Sequence, residues 1–203
     1  MTHLSSMKSL VLAILALVFA LNHVDALVFQ RAPNVSPLLS KLDALIESTS
    51  SNPNDPNTQE EIKAMMVNIS ESRQGDQRKK LPGQWELIFT TEKEVNFFKT
   101  SWPFASVSDI VQDLDLYNSQ SIDNSINFET GGKFAVTGTA KAIDGDSEFD
   151  RVGFEFKSAA ITAWDKTFQI PPVGAGWFDT MYCDDCYRLS QDVRGDWSVF
   201  RRR

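Results

Sequence analysis

Histidine is nearly missing from this chain. Its 203 residues hold two, His3 and His23, and both fall in the first 26 positions. Those positions carry Lys8, an unbroken apolar run from Leu10 to Leu21, and then Val24-Asp25-Ala26, the small-residue pattern that a signal peptidase reads. The run is about half of the ~20 apolar residues that cross a bilayer, so 1–26 reads as a signal peptide rather than an anchor. The mature chain then has no histidine. That excludes a Ser-His-Asp triad, a histidine base, a histidine-ligated haem and most zinc sites. Cysteine is as scarce, and Cys183 and Cys186 alone cannot complete a four-ligand zinc site. No catalytic residue, cofactor or metal is expected. Positive charge is also short, with 20 Lys and Arg against 27 Asp and Glu and a formal charge of −7. That balance argues against a nucleic-acid partner. Two basic clusters stand out. Arg78-Lys79-Lys80 reads as a solvated linker and Arg201-Arg202-Arg203 as a frayed tail.

What is present divides into a leader, a helical lead-in and a β-rich body. Residues 27–36 form a short transit-like leader. Residues 37–80 carry two helical patterns. Ser36-Pro37 supplies a cap and a first-turn proline, followed by a stripe of Leu38, Leu39, Leu42, Leu45 and Ile46. A loop over 52–57 leads to a capping box of Thr58 with Glu61 and a second stripe of Ile62, Met65, Met66 and Ile69.

From Leu81 to Arg203 the apolar period changes to two. Trp85, Leu87 and Phe89 alternate with Glu86, Ile88 and Thr90. Phe134 and Val136 alternate with Ala135 and Thr137, and Val152, Phe154 and Phe156 with Gly153 and Glu155. Gly131-Gly132, Asp144-Gly145-Asp146, Pro171-Pro172 and Arg194-Gly195-Asp196 supply turns at meander intervals. The expected fold is mainly β: an antiparallel β-barrel preceded by two short α-helices. Trp85, Leu87, Phe89, Phe134, Val136, Phe154, Phe156 and Arg188 are the candidates for its interior. Residues 92–118 hold Phe97, Phe98, Trp102 and Phe104 and read either as a lid over a barrel mouth or as an outer loop.

Gly83-Gln84-Trp85 on a first strand, with an arginine on a late strand, resembles the closed end of lipocalin-like barrels. There the indole plugs the narrow end and a guanidinium covers its face. The wider pattern resembles the plastid lipid-associated protein family, the plastid fibrillins. Leu81 to Thr91 is similar to its first strand. Gly176, Trp177, Asp179, Tyr182, Asp184, Asp185 and Arg188 are similar to its late motif, and Val111 to Asp115 to its middle one at a shifted spacing. The likeness covers about residues 38–203. It implies a lipocalin-like barrel that binds or stabilises small apolar lipids (isoprenoids, carotenoids, quinones or fatty acids) without catalysis, at plastid membranes, plastoglobules or other lipid droplets. With a secretory-type signal in front, it implies a plastid reached through the endoplasmic reticulum, as in algae with complex plastids. A secreted lipocalin-like carrier is the alternative.

Several features have both a structural and a functional reading. Trp85 serves better as a plug than as a ligand contact. Arg188 serves as a closure residue or as the partner of a carboxylate-headed lipid. The aromatic residues line a cavity or fill it. Cys183 and Cys186 form a disulfide if Asp184-Asp185 is the two-residue turn, and are free thiols otherwise. Asp144-Gly145-Asp146 with Glu148 is a turn rather than a calcium loop. Asn34 and Asn68 head glycosylation sequons, which matter only in a secretory lumen. Asp179 with Asp184 is the weak basis of a carboxylate-enzyme alternative.

Overall fold

The computed structural model describes residues 37–48, 52, 55–72, 76–101, 105–143, 149–163, 166–171 and 174–203. The signal peptide, the leader, Asn34 and the Asp144-Gly145-Asp146 turn with Glu148 lie outside the described residues.

Two helices lead. Helix α1 (Pro37–Ser48) buries Leu39, Leu42 and Ile46, and α2 (Pro56–Ser72) buries Ile62, Met66 and Ile69. Each set repeats at three- and four-residue spacing, which places it on one helix face. The start of α2 is earlier than the capping-box pattern suggests. Asp55, not Thr58, is the cap: its Oδ2 accepts from the Thr58 N–H at 3.0 Å and the Thr58 hydroxyl at 2.6 Å, with Pro56 in the first turn.

Nine strands follow: β1 (Gly83–Thr90), β2 (Val107–Asp115), β3 (Ser121–Phe128), β4 (Lys133–Ala142), β5 (Arg151–Ala163), β6 (Lys166–Ile170), β7 (Ala175–Cys183), β8 (Tyr187–Asp192) and β9 (Trp197–Arg202). Their order is β4-β3-β2-β1-β9-β8-β7-β5, all neighbours antiparallel, and β4 pairs with β5. That last pairing closes an eight-stranded barrel. Strand β6 pairs only with Ala159–Ala163 at the far end of β5, so the β5–β6 hairpin raises the wall at one mouth.

Alternation along the strands separates two apolar clusters. The inner one fills the barrel and includes Trp85, Leu87, Val136, Phe156, Phe178 and Phe200. The outer one joins Ile88, Tyr182, Leu189, Trp197 and Val199 to the buried faces of α1 and α2. The helices therefore pack on the outside of the β1–β9–β8–β7 wall. Burying each large aliphatic side chain there contributes about 1.5–3 kcal/mol.

Phe89 departs from the simple alternation. The β1–β9 register slips between Leu87 and Phe89, a bulge that puts one extra residue into β1. Beyond it the faces exchange. Phe89 joins the outer, helix-facing cluster instead of the interior, and Thr90 turns inward opposite Ser198. A second slip, between Thr137 and Gly138, puts one extra residue, Lys157, into β5 opposite β4. A Cβ on Gly138 would stand 2.2 Å from the Glu155 carbonyl oxygen, so this close backbone approach needs glycine.

In its first half the stretch after β1 takes the lid reading rather than the outer-loop one. It forms helix α3 (Lys93–Ser101), which spans the mouth where β1 ends and β2 begins. Val95 of α3 packs into the inner core and the Asn96 amide donates to the Thr90 carbonyl at 3.1 Å, while Phe97 stays exposed. Trp102 and Phe104 lie outside the described residues.

The two basic clusters hold structural contacts, although Lys79 is exposed. Arg78, in a 3₁₀ turn over Arg78–Lys80, is buried and pairs with Asp76 at 2.9 Å and with Asp150. Arg201 and Arg202 end β9 and Arg203 follows it. Arg201 reaches Asp43 of α1 at 2.5 Å, Arg203 reaches Asp109 at 2.5 Å and Glu86 at 3.2 Å, and Arg202 turns in beneath the barrel.

Candidate functional site: the barrel interior

The closed end is built around Trp85. It is fully buried, and its indole N–H donates to the Leu81 carbonyl at 2.7 Å. The guanidinium that covers it belongs to Arg202, whose central carbon lies 4.0 Å from the ring centre; the corresponding distance for Arg188 is 5.5 Å. Arg202 also donates to the carbonyls of Pro82, at 3.1 Å, and Lys80. Gly83 belongs to this arrangement. Its φ is +129°, and a Cβ there would stand 2.6 Å from the Arg202 Nη1. The glycine of the G-x-W pattern is thus required by backbone conformation and by the neighbouring guanidinium.

The late motif braces the wall. Asp179 holds Arg151 through two hydrogen bonds, at 2.6 and 2.8 Å, and that guanidinium stacks on Trp177 with its carbon 3.7 Å from the ring centre. Gly176 faces the Phe154 ring. Asp184 shapes the β7–β8 turn. Its Oδ1 accepts from the Cys186 and Tyr187 N–H groups at 2.7 and 2.6 Å, and its Oδ2 accepts from the Tyr182 hydroxyl at 2.8 Å. Burial is the largest cause that raises the Tyr182 phenol. Asp185 pairs with Lys80 at 2.5 Å. Asp179 and Asp184 are therefore each engaged in separate structural contacts.

The turn is also why the cysteines are not bonded. Asp184 N–H donates to the Tyr187 carbonyl at 2.9 Å, which centres the turn on Asp185-Cys186, one residue later than the disulfide geometry needs. Cys183 then faces the barrel core while Cys186 packs on the outer cluster, and neither is in a disulfide. Burial pushes the Cys183 thiol up to about 12, so it is neutral.

Trp85, Leu87, Phe134, Val136 and Phe156 all lie in the inner cluster, with Phe154 half-buried against it. Its ring centre is 5.1 Å from that of Phe156 and 6.5 Å from that of Phe178. These side chains pack against one another and fill the lumen of the described state.

Polar groups interrupt that apolar filling. Arg188 is 0% exposed, one strand pairing from Phe200 and from Cys183. Its guanidinium carbon lies 3.6 Å from the Phe200 ring centre and 5.2 Å from that of Phe178. None of its nitrogens has a hydrogen-bond partner among the described residues. Burial lowers its pKa to about 9, which still leaves it charged at neutral pH. On the inner faces of β2 and β3, Gln112 and Asn124 are paired in register and buried, and both amides lack partners. Toward the α3 mouth, Thr90, Ser198, Ser190 and Thr180 form a row across β1, β9, β8 and β7. Thr90 and Ser198 bond each other at 3.0 Å; the Ser190 and Thr180 hydroxyls are buried without partners.

Sequence reasoning missed Gln112, Asn124, Thr180, Ser190 and Arg202. For the first two a signal existed. Gln112 shares its parity with Ile110 and Leu114, and Asn124 with Ile122 and Ile126, so each is a polar residue on an otherwise apolar face.

Residues 44–201 match the PAP_fibrillin family model. The chain belongs to the PAP_fibrillin family. It is also 35% identical, over 124 residues, to the probable plastid-lipid-associated protein 11, chloroplastic, of Arabidopsis thaliana. That alignment covers 60% of this chain and 56% of the relative, so the chain spans little more than half of that protein's length. No solved structure matches the chain. The family match contains the whole barrel apart from the end of β9, and the second helix with the last part of the first. Trp85, Gly83 and the Arg151–Asp179 brace therefore lie within the PAP_fibrillin region, and Arg202 stands one residue beyond it.

Proposed function

We propose that this protein is a non-enzymatic lipid-binding protein of plastid membranes or plastoglobules, whose barrel takes up one small apolar lipid such as an isoprenoid, a carotenoid, a quinone or a fatty acid. Family membership and the plastid-lipid-associated relative support the setting. The observation that carries the reading is the closed barrel itself, with a mostly apolar interior and a floor sealed by Trp85 and Arg202. Such a lumen favours apolar cargo at about 25 cal/mol per Å² removed from water, less the cost of immobilising the ligand. Because the lining side chains fill the described state, uptake displaces them, and the α3 mouth is the end without a sealed floor. The apolar run of 10–21 and the cleavage pattern before Leu27 support delivery by a secretory-type signal.

The filled lumen favours a second reading, a structural coat that touches lipid only with its surface. Phe168 on the raised β5–β6 hairpin is 55% exposed and offers one such contact. Native mass spectrometry of protein purified from its own cells separates the two. Cargo uptake gives a defined mass increment of one lipid per chain, and a charged residue in place of Phe154 removes it. A coat protein flies without lipid, or with a broad, unsaturable mixture.

A further inference from the structure

Among the described residues, the barrel interior carries one formal charge and no side chain that balances it. Arg188 is wholly buried, its Nε, Nη1 and Nη2 donate to nothing among the described residues, and no carboxylate there pairs with it. The neighbouring Cys183 thiol is neutral, as burial dictates, and cannot serve as the counter-ion. Among the described residues, the aromatic rings of Phe200, Phe178 and Trp85 cradle the guanidinium. Cation–π contacts offset part of the desolvation of a buried cation, but they leave its forked N–H donors unused.

Those donors have company. Ser190 lies two residues along β8 on the same inward face, and Thr180 is its cross-strand partner on β7; both hydroxyls are buried and unpartnered. Gln112 and Asn124 bring two more orphaned amides from the β2–β3 wall. Buried groups of this kind ordinarily find partners, and a cluster of them inside an apolar barrel marks a place where a partner is missing.

From this geometry we infer that the barrel binds its lipid head-first, and that the lipid is a carboxylate-headed one whose head group is held by Arg188. The inference rests on the uptake proposed above and names the class of cargo. A carboxylate matches the guanidinium fork with two parallel hydrogen bonds. One unbalanced arginine suits a single negative charge. Arg202, the nearest other cation, is engaged with the Lys80 and Pro82 carbonyls and the Trp85 ring. A phosphate monoester, with close to two charges, would leave one uncompensated. Depth sets the orientation. Arg188 pairs with Phe200, which pairs with Leu87, two residues from the floor at Trp85. The head group thus sits just above the sealed floor, with the tail running past Phe178 and Phe156 toward the α3 mouth. Ser190 and Thr180 supply further donors beside it.

The test compares palmitic acid with hexadecanol, which has the same chain and no charge, on the full chain at neutral pH. The expected result is at least a tenfold preference for the acid, lost in Arg188→Met while hexadecanol binding stays. Equal affinity for acid and alcohol in the unaltered protein overturns the head-group inference and leaves lipid uptake standing; binding of neither defeats both. A preference that survives in a folded Arg188→Met also overturns it. Should that variant fail to fold, palmitic acid labelled with ¹³C at its carboxyl reads the site directly. Held by Arg188, the bound carboxyl titrates below the same acid in free solution; held by apolar surroundings alone, it titrates above, and the inference falls.

Discussion

Arg202 covers Trp85, its guanidinium carbon 4.0 Å from the centre of the indole ring. The second-to-last residue of the chain therefore closes the barrel that the first strand opens. Gly83 makes room for it, and the Lys80 and Pro82 carbonyls fix it. The Arg201-Arg202-Arg203 run is a structural element in which each arginine has its own partners.

Trp85→Ala should cost about 3–5 kcal/mol, as for other large buried aromatics cut to alanine. Arg202→Ala should cost less. A double-mutant cycle in denaturant should show coupling of about 0.5–2 kcal/mol between Trp85 and Arg202. Coupling should be smaller between Trp85 and Arg188, whose guanidinium carbon is 5.5 Å from the ring centre. Strict additivity of the Trp85 and Arg202 substitutions contradicts the closure described.

Arg188→Met should stabilise the lipid-free protein, by about 1–4 kcal/mol, because an unpaired buried charge is exchanged for a shape-compatible apolar side chain. Urea titration of delipidated protein measures it. A large loss of stability would mean that the guanidinium is a structural keystone, held by more than the Phe200, Phe178 and Trp85 rings.

Glu92 carries the pH dependence at the α3 mouth. It is almost fully buried, and burial holds its carboxyl well above the usual carboxylate range even though Arg194 lies 2.5 Å away. Asp192 and Asp196, the other charged groups beside Arg194, push in the same direction as burial. A folded-state pKa above the unfolded value means that the fold binds this proton more tightly. Its contribution is fully present below the unfolded pKa of ~4.3 and is lost as pH rises through the folded one. Thermal unfolding across that window should show a decline in the unaltered protein, and Glu92→Gln should flatten it.

The two thiols should differ. Under native conditions Cys186, at the turn and half-buried, should alkylate ahead of the buried Cys183. Unreduced protein, denatured and then alkylated, should carry two labels on the peptide spanning both. A single bonded peptide without label contradicts the turn centred on Asp185-Cys186.

The β-barrel and the two helices were legible because long periodic segments announce themselves. The helix stripes of Leu39, Leu42 and Ile46 and of Ile62, Met66 and Ile69 are the buried ones. Alternation placed Leu87, Phe134, Val136 and Phe156 on the inner face. It failed at Phe89 because a bulge changes parity without any mark in composition. It failed for the C-terminal arginines because a basic run reads as solvent-loving until its partners, Asp43, Asp109 and the Trp85 ring, are brought from distant parts of the chain. Which residues make the turn before Tyr187 was left open, and Asp184 decides it by serving as the turn's side-chain cap rather than as its first corner. The polar interior stayed hidden for a related reason. Gln112, Asn124, Ser190 and Thr180 are ordinary strand residues until closure of the barrel puts them all inside.

Photo-crosslinking tests the central claim, uptake of lipid into the barrel, most directly. Lipid-stripped protein is titrated with a fatty acid carrying a diazirine on its chain, irradiated, and mapped by peptide mass spectrometry. The account expects labelling that saturates at one lipid per chain and falls on inward-facing side chains such as Val136, Phe156 and Phe178. Labelling confined to Phe168 and the outer face, without saturation, would contradict it.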